Sequence, residues 1–551
     1  MRAAKRTYLH ILLVLFLTIT VMFPRTAWAQ VTALDEVRFF LRNYYVEPIQ
    51  EDILDSPNID TLLYNLNDPY TYFMTAQQYD DFENSVEQRF SGIGIYVDLT
   101  EEGCKVTGLI SDSPAAKSGL QGGDLITAVD NHPVRGLSLE ELLPLIRGPE
   151  GSSVQINYLR SGLNYTVLVE RASFLVPTAT GEIKAFNTGY IGLSSFAADT
   201  GSLFGNCLDK LRLQNPQAYI VDLRDNGGGY AQTALEIAGY FIGDDLAMQV
   251  YHRNSPPFRL RAVKHDYIVN RPTILLVNNY SASASEALAM AIKDHGKAVL
   301  VGTQTYGKGC GQQIFPLSRG GYLKMTTSLY RSPLSVSINN KGITPDLIIE
   351  KTDPLKVSLL LLSGKDTGLK NGLVKLNLAS QSFYIDTRAA CQPEYWAAYG
   401  EILDKIGLGL MQGQGIDWEK ITQPELTDRR SLYYPGYRLG TDALRLTAGS
   451  SFTLHFPQSI NWQSVSPDNI ELITSGDGER IPLAFTRING NDIKITAQQP
   501  LLADTSYWLV IHPGISYDDG SLLQSGVVCT AASISPETSN PNEPEEPVLN
   551  L

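Results

Sequence analysis

The sequence predicts a multidomain α+β protein: a short helical segment, a small β-rich unit, an α/β layer, a mixed α/β segment and an all-β sandwich. Three observations predict it. A chain of 551 residues is too long for one hydrophobic core. Near residue 90 the texture changes from helical spacing to short strands with glycine turns, and near 173 to alternating buried strands and helices. Beyond about 440 it becomes a run of short alternating strands broken by turn signals. With 43% hydrophobic and 19% charged residues the chain is expected to fold. A net charge of -14 without a basic cluster argues against nucleic acid as a partner.

Residues 1–29 carry Arg2, Lys5 and Arg6, an apolar stretch from about Ile11 to Phe23, and Ala27-Trp28-Ala29. That is the three-part layout of a secretory signal peptide and predicts an extracytoplasmic location, secreted or envelope-associated. The apolar stretch falls short of the ~20 residues a spanning helix needs, so uncleaved anchoring is the lesser alternative. Residues 30–89 read as helix, because "LDEVRFFLRNYYV" and "TAQQYDDFENSVEQRF" repeat apolar residues at three and four; "LNDPYTYF" between them reads as a turn.

In 90–172, "FSGIGIYVDL", "CKVTGLI", "SVQINYLR" and "NYTVLVER" read as strands and "SLEELLPLIRG" as a helix with Pro144 awkwardly inside it. The run "AAKSGLQGGDLITAVD" in this order resembles a PDZ domain. That resemblance implies a carboxylate-binding loop at Gly92-Ile93-Gly94-Ile95 and a groove, walled by the helix at 138–147, that takes an extended peptide by strand addition. An ordinary small β-barrel with a glycine turn is the plainer alternative.

In 173–355, strands "GYIGLSSF", "AYIVDLR", "TILLVNN" and "AVLVGT" alternate with helices "AQTALEIAGYFI" and "SEALAMAIKDHG". The alternation implies an α/β layer with crossover helices. Residues 356–435 mix strand-like pieces with the helical "EYWAAYGEILDKIG". Residues 440–533 read as a β-sandwich similar to bacterial Ig-like modules, which implies a spacer or binding accessory. The Pro- and Glu-rich tail 534–551 reads as disordered. Five scattered cysteines (Cys104, Cys207, Cys310, Cys391, Cys529) form neither a disulfide framework nor a zinc motif, and the seven histidines lack ligand spacing. Neither a metal nor a cofactor is expected.

The chemistry centres on two stretches. "SASASEALAM" places Ser281, Ser283 and Ser285 where a strand gives way to a helix, and "YGKGCGQQ" sets Lys308 between two glycines. Unpaired N–H groups of a first helical turn can stabilise an oxyanion. A serine needs a base, and a lysine serves only if its pKa is brought from about 10.4 towards 7–8. Gln312, four residues after Lys308, could orient the amine if the segment turns helically. Spacing does not choose among the three serines, which are equally good N-caps.

With "DLRDNGGG" at 222–229 and "GITPDLIIE" at 342–350, the chain resembles the C-terminal processing, or tail-specific, serine proteases over about residues 32–351. The resemblance implies Ser283 as nucleophile, Lys308 as general base, Gln312 as its positioning residue, and an oxyanion hole of backbone N–H groups from Ala284 and Gly228. It implies a protein or peptide substrate with a free C-terminus, and a homodimer that helices in 32–90 and 366–430 could form. Cys310 stands where the family has Ser or Thr, Gly311 where a β-branched residue is common, and Gly227 where proline is frequent. The loop could therefore be thiol-sensitive. Two rivals remain at this point: a catalytically silent PDZ/Ig-like binding protein of the cell envelope, and a surface protein whose sandwich binds a cell-wall or membrane-anchored partner.

Overall fold

Five strands, Thr188–Leu193, Ala218–Asp222, Thr273–Val277, Val299–Gly302 and Leu347–Ile348, run parallel and lie side by side in chain order. A sixth, Ala179–Lys184, joins the first strand antiparallel. The computed structural model describes residues 32–110, 112–441, 444–446, 451–533 and 547–551. Strands Ala218–Asp222 and Thr273–Val277 are buried at every position, as expected of a parallel sheet covered on both faces. Helices Thr200–Arg212, Ala231–Ile242 and Ala284–Asp294 connect successive strands and pack on one another. With strands in strictly sequential order, right-handed crossovers put these helices on one face. On the other face Ile220, Ile274, Leu276, Val299 and Val301 share a core with Val357 and Leu360 of helix Pro354–Leu361 and with Trp396 and Tyr399 of helix Pro393–Ile406. The mixed segment therefore completes the core of the α/β layer rather than standing apart from it.

The β-rich unit forms a sheet in the order Ile95–Thr100, Gly103–Leu109, Leu125–Val129, Ser153–Arg160, Leu163–Glu170. Helix Leu139–Ile146 starts at a capping box of Ser138 and Glu141 and stops two residues after Pro144. Ile93, Val106, Ile126, Leu142, Ile146 and Ile156 fill the core between sheet and helix. Strand Ile95–Thr100 is the sheet's edge, with one partner among the described residues.

A buried ion pair ties this unit together. Asp124, with 1% of its side chain exposed, receives Arg160 Nε and Nη2 at 2.7 Å each and Gln121 N at 2.8 Å. Burial pushes its carboxyl up, but the Arg160 guanidinium and the Gln121 amide outweigh this and hold it below the ordinary value. Because the folded pKa is depressed, this stability is present above the unfolded value of about 3.9 and is lost as pH falls through the folded one. Asp124→Asn is expected to destabilise the unit by about 2–3 kcal/mol, less than for a fully buried pair because Arg160 is partly solvated. Amide exchange of strands Leu125–Val129 and Ser153–Arg160 in the whole protein measures it. Wild-type levels of protection in the variant would refute it.

The described residues up to Ser85 form a separate compact unit with Val250–Phe258 and Cys310–Tyr330. Its helices include Ala33–Tyr44, capped by Thr32 and Asp35, and Ile59–Leu66, capped by Asn58. Strands Cys310–Pro316 and Tyr322–Arg331 form a hairpin to which Tyr72–Met74 adds. Val37, Leu41 and Leu62 share their core with Leu317, Leu323 and Met325. The domain expected over 173–355 is thus interrupted: the hairpin after the lysine loop sends its apolar face to the N-terminal helices.

At the other end of the chain, two sheets share one core. Ile470, Leu472, Leu509 and Ile511 come from one sheet and Phe452, Leu454, Ile493 and Ile495 from the other. The tail is not wholly without structure as expected. Val548–Asn550 pairs parallel with Ser451–His455, because Leu549, 3% exposed, joins the sandwich core; 534–546 lie outside the described residues. So does the segment 1–29 expected to be a signal peptide. No described helix is long and apolar enough to cross a membrane.

Candidate active site

The C-terminal ends of strands Ala218–Asp222 and Thr273–Val277 deliver two turns to the same place. The first, 223–230, is knotted by Asn226, which is fully buried. Its Nδ2 donates to Leu193 O at 2.9 Å, its Oδ1 accepts from Gly228 N at 2.9 Å, and its carbonyl accepts from Ala282 N and Ser285 Oγ at 3.1 and 2.8 Å. The second turn, 278–283, is held by Ser281, whose Oγ donates to Leu223 O at 2.7 Å.

This separates the three serines. Ser281 and Ser285 are fully buried with their hydroxyls spent on carbonyls of the neighbouring turn. Ser283 alone is partly open to solvent. Its φ of 56° and ψ of -112° lie outside the regions an L-residue prefers. A strained serine between a strand and a helix has the setting of a nucleophile elbow. Ala284 opens helix Ala284–Asp294, and no helical carbonyl reaches its N–H. Gly228 backs the turn at φ +103°: a Cβ there would stand 2.8 Å from Ser283 Cβ and 2.9 Å from Ala284 N, so only glycine fits.

Lys308 lies half-buried in the loop after strand Val299–Gly302. Its flanking glycines are required by close approach. A Cβ on Gly307, at φ +94°, would meet Gly342 N at 2.8 Å, and one on Gly309 would meet Asn339 N at 2.6 Å. The "GITPD" stretch supports this loop: Ile343 N donates to Thr305 Oγ1 at 2.7 Å and Thr305 N to Ile343 O at 3.2 Å.

One side chain that sequence reasoning missed joins the two turns. Glu286, fully buried, accepts Ser283 N at 3.0 Å and Lys308 N at 2.8 Å on Oε2. Its Oε1 accepts Gly307 N at 2.8 Å and the Thr305 hydroxyl. A single carboxylate oxygen therefore binds the backbone of the serine and of the lysine. The available signal was an acid inside the apolar run "SEALAMAI".

Gln312 does not lie on a helical turn. It follows a bulge in strand Cys310–Pro316, and its Nε2 donates to Cys310 O at 3.3 Å, Cys310 Sγ at 3.2 Å and Thr326 Oγ1 at 3.5 Å. Four residues' spacing thus carries no helical geometry here. Cys310 is 3% exposed, which keeps thiol reagents from it in the folded state, and no disulfide is formed among the described cysteines.

In the β-rich unit, Ile93 is fully buried and its carbonyl accepts Ala115 N at 2.8 Å, while Gly94 O accepts Ile110 N at 3.1 Å. Gly94 has φ +78°, and a Cβ there would strike Ser113 Cβ at 2.4 Å. Gly92 ends one strand and Ile95 begins the edge strand. Between that strand and the core sheet lies a cleft of about 480 Å³, lined among others by Tyr96, Tyr190, Ser194 and Asp225.

Residues 187–349 match the model of peptidase family S41 and 105–160 that of the PDZ domain. A carboxy-terminal-processing protease of Bartonella bacilliformis is 30% identical over 351 residues, which cover 63% of this chain and 81% of that one. The chain belongs to the C-terminal processing serine proteases of family S41. The carboxy-terminal processing protease CtpA of Bacillus subtilis is 31% identical over 323 residues, covering 58% and 69%. Among solved structures, a photosystem II D1 C-terminal processing protease aligns at 24% identity over 61% of this chain and 98% of its own, with a TM-score of 0.40. The S41 match spans the glycine turn, the serine turn and the lysine loop, so the protease reading prevails over the silent scaffold.

Proposed function

We propose that the protein is an exported endopeptidase that cleaves by a Ser283–Lys308 dyad and selects substrates by their C-termini. The observation that carries the reading is the selection of Ser283: it alone of the three serines is partly open to solvent, in a strained turn whose backbone shares one carboxylate oxygen with Lys308. Ser283 Oγ attacks the scissile carbonyl carbon as Lys308 Nζ, entering as the neutral amine, takes its proton. The tetrahedral oxyanion is met by Ala284 N–H and by the Gly228 turn, whose amide is shared with Asn226 Oδ1. Collapse breaks the C–N bond, Lys308 returns the proton to the leaving amine, and a water deprotonated by Lys308 then hydrolyses the ester.

Substrate enters by the PDZ unit. Its open edge strand Ile95–Thr100 accepts an extended peptide, with the terminal carboxylate at the amides of Gly92 to Ile95. The cleft of about 480 Å³ between this strand and the core offers the path to Ser283. The signal segment sends the protein out of the cytoplasm, where a homodimer and an envelope-anchored partner are the assemblies to look for. The terminal sandwich serves as an Ig-like accessory.

The test is cleavage of an unstructured protein ending in apolar residues by the whole protein and by Ser283→Ala. Cleavage is expected in the first only, and is expected to weaken when the substrate's C-terminal carboxylate is amidated. Equal cleavage by Ser283→Ala would overturn the catalytic assignment, and indifference to amidation the C-terminal selection.

A further inference from the structure

A second cavity opens at the end of the sheet opposite to Ser283. It measures about 210 Å³ and forms where helix Thr200–Arg212 ends and strand Ala218–Asp222 begins, beside residues 267–271. Tyr219 lines it, 4% exposed, and its hydroxyl has no hydrogen-bond partner among the described residues. The ring is buried and the hydroxyl faces the cavity, where it is available to a ligand as donor or acceptor.

Two guanidiniums flank that hydroxyl. Arg271 makes one hydrogen bond, to Asn215 Oδ1 at 3.2 Å, and has no carboxylate partner among the described residues. Arg212 stacks 3.6 Å over the centre of the Tyr267 ring and touches Asp209 at 3.3 Å. Asp209 also accepts the Tyr267 hydroxyl at 2.8 Å, so its carboxylate is divided between Arg212 and Tyr267. Both guanidiniums act electrostatically on the Tyr219 hydroxyl, which burial alone would push further up. Asn215, at φ +49°, fixes the turn that brings Arg212 and Arg271 together, its N–H donating to Arg212 O at 3.0 Å.

We propose that this cavity binds a small oxyanion, a phosphate or carboxylate group, held by the Arg212 and Arg271 guanidiniums and the Tyr219 hydroxyl, with the ligand's remainder against Pro216 and Val269. Guanidiniums present forked donors suited to either group, and the hydroxyl adds a third direction of approach. The site is separate from the protease chemistry: strand Ala218–Asp222 begins here and ends at the glycine turn.

Thermal denaturation of the whole protein against inorganic phosphate and against acetate, each at ionic strength matched with sodium chloride, tests it. A saturating rise in Tm with at least one of the two anions is expected. Arg271→Ala should weaken that binding by about tenfold or more, as for loss of a charge-assisted hydrogen bond. Tyr219→Phe, which keeps the ring, should weaken it severalfold. Tighter binding of phosphate assigns a phosphoryl ligand, tighter binding of acetate a carboxylate. A rise that sodium chloride reproduces, or one equal in wild type and Arg271→Ala, means an adventitious ion only and overturns the proposal. The readout is binding, so it is independent of whether Ser283 is the nucleophile.

Discussion

Lys308→Ala is expected to lower kcat by at least about 10³-fold with the fold intact. The structure makes this substitution clean. Glu286 holds position 308 through its backbone N–H, not through the side chain, so alanine keeps the hydrogen bond at 2.8 Å and the loop keeps its support from Thr305 and Gly342. What is removed is the side chain beyond Cβ, the amine with it. Lys308→Arg should be as inactive, since a guanidinium retains the charge but does not give up its proton near neutrality. The wild-type kcat/KM should rise with pH as the amine loses its proton, a limb that both variants lack. Measurement of kcat and the pH profile on an unstructured substrate, with circular dichroism as the control for folding, decides it. A Lys308→Ala enzyme within tenfold of wild type would remove Lys308 from the mechanism.

The α/β layer was legible because buried parallel strands are written as unbroken apolar runs: "TILLV" and "AYIV" leave no other reading, and helix 231–242 appears where its spacing put it. The hairpin 310–331 was not, because its strand Tyr322–Arg331 buries Lys324, Thr326 and Thr327 and so lacks clean alternation. The structure accommodates Lys324 by placing its ammonium over Phe82 and on the Tyr72 hydroxyl at 3.0 Å. Its burial holds its pKa below the ordinary lysine value.

The choice among Ser281, Ser283 and Ser285 illustrates a different limit. All three sit at a helix start, and local pattern treats them alike. The difference lies in carbonyls far away in sequence: Leu223 O takes the first hydroxyl and Asn226 O the third. Motif resemblance supplied the middle serine before the structure gave a physical reason for it. Gln312 shows the reverse, a residue found by spacing for which the assumed geometry was wrong because a bulged strand replaced the helical turn.

Glu286→Gln tests whether the serine and lysine turns act as one assembly. The carboxylate accepts four donors, Ser283 N, Lys308 N, Gly307 N and the Thr305 hydroxyl, and has no surface exposure. An amide of the same shape offers one acceptor oxygen and one NH₂ group. Whichever way it turns, two donors face a donor: either the backbone of Ser283 and Lys308, or Gly307 and Thr305. Each buried donor left unmet costs about 1–3 kcal/mol, so a loss of roughly 2–6 kcal/mol in stability is expected. The catalytic loss should exceed what unfolding explains. Ser283 is held in its strained φ of 56° by this network, and a shift of even about 1 Å between nucleophile and base is worth around 10²-fold. Because the PDZ unit is untouched, KM for a C-terminal substrate should change little while kcat falls. Glu286→Asp, which keeps the charge but draws it back by one methylene, should recover part of the stability and less of the rate, since a shorter side chain cannot reach Ser283 N and Lys308 N together. Chemical denaturation and steady-state kinetics at a temperature where each variant is folded separate the two effects. A Glu286→Gln protein that loses stability but keeps kcat would make Glu286 a support of the fold alone, with no part in aligning Ser283 and Lys308.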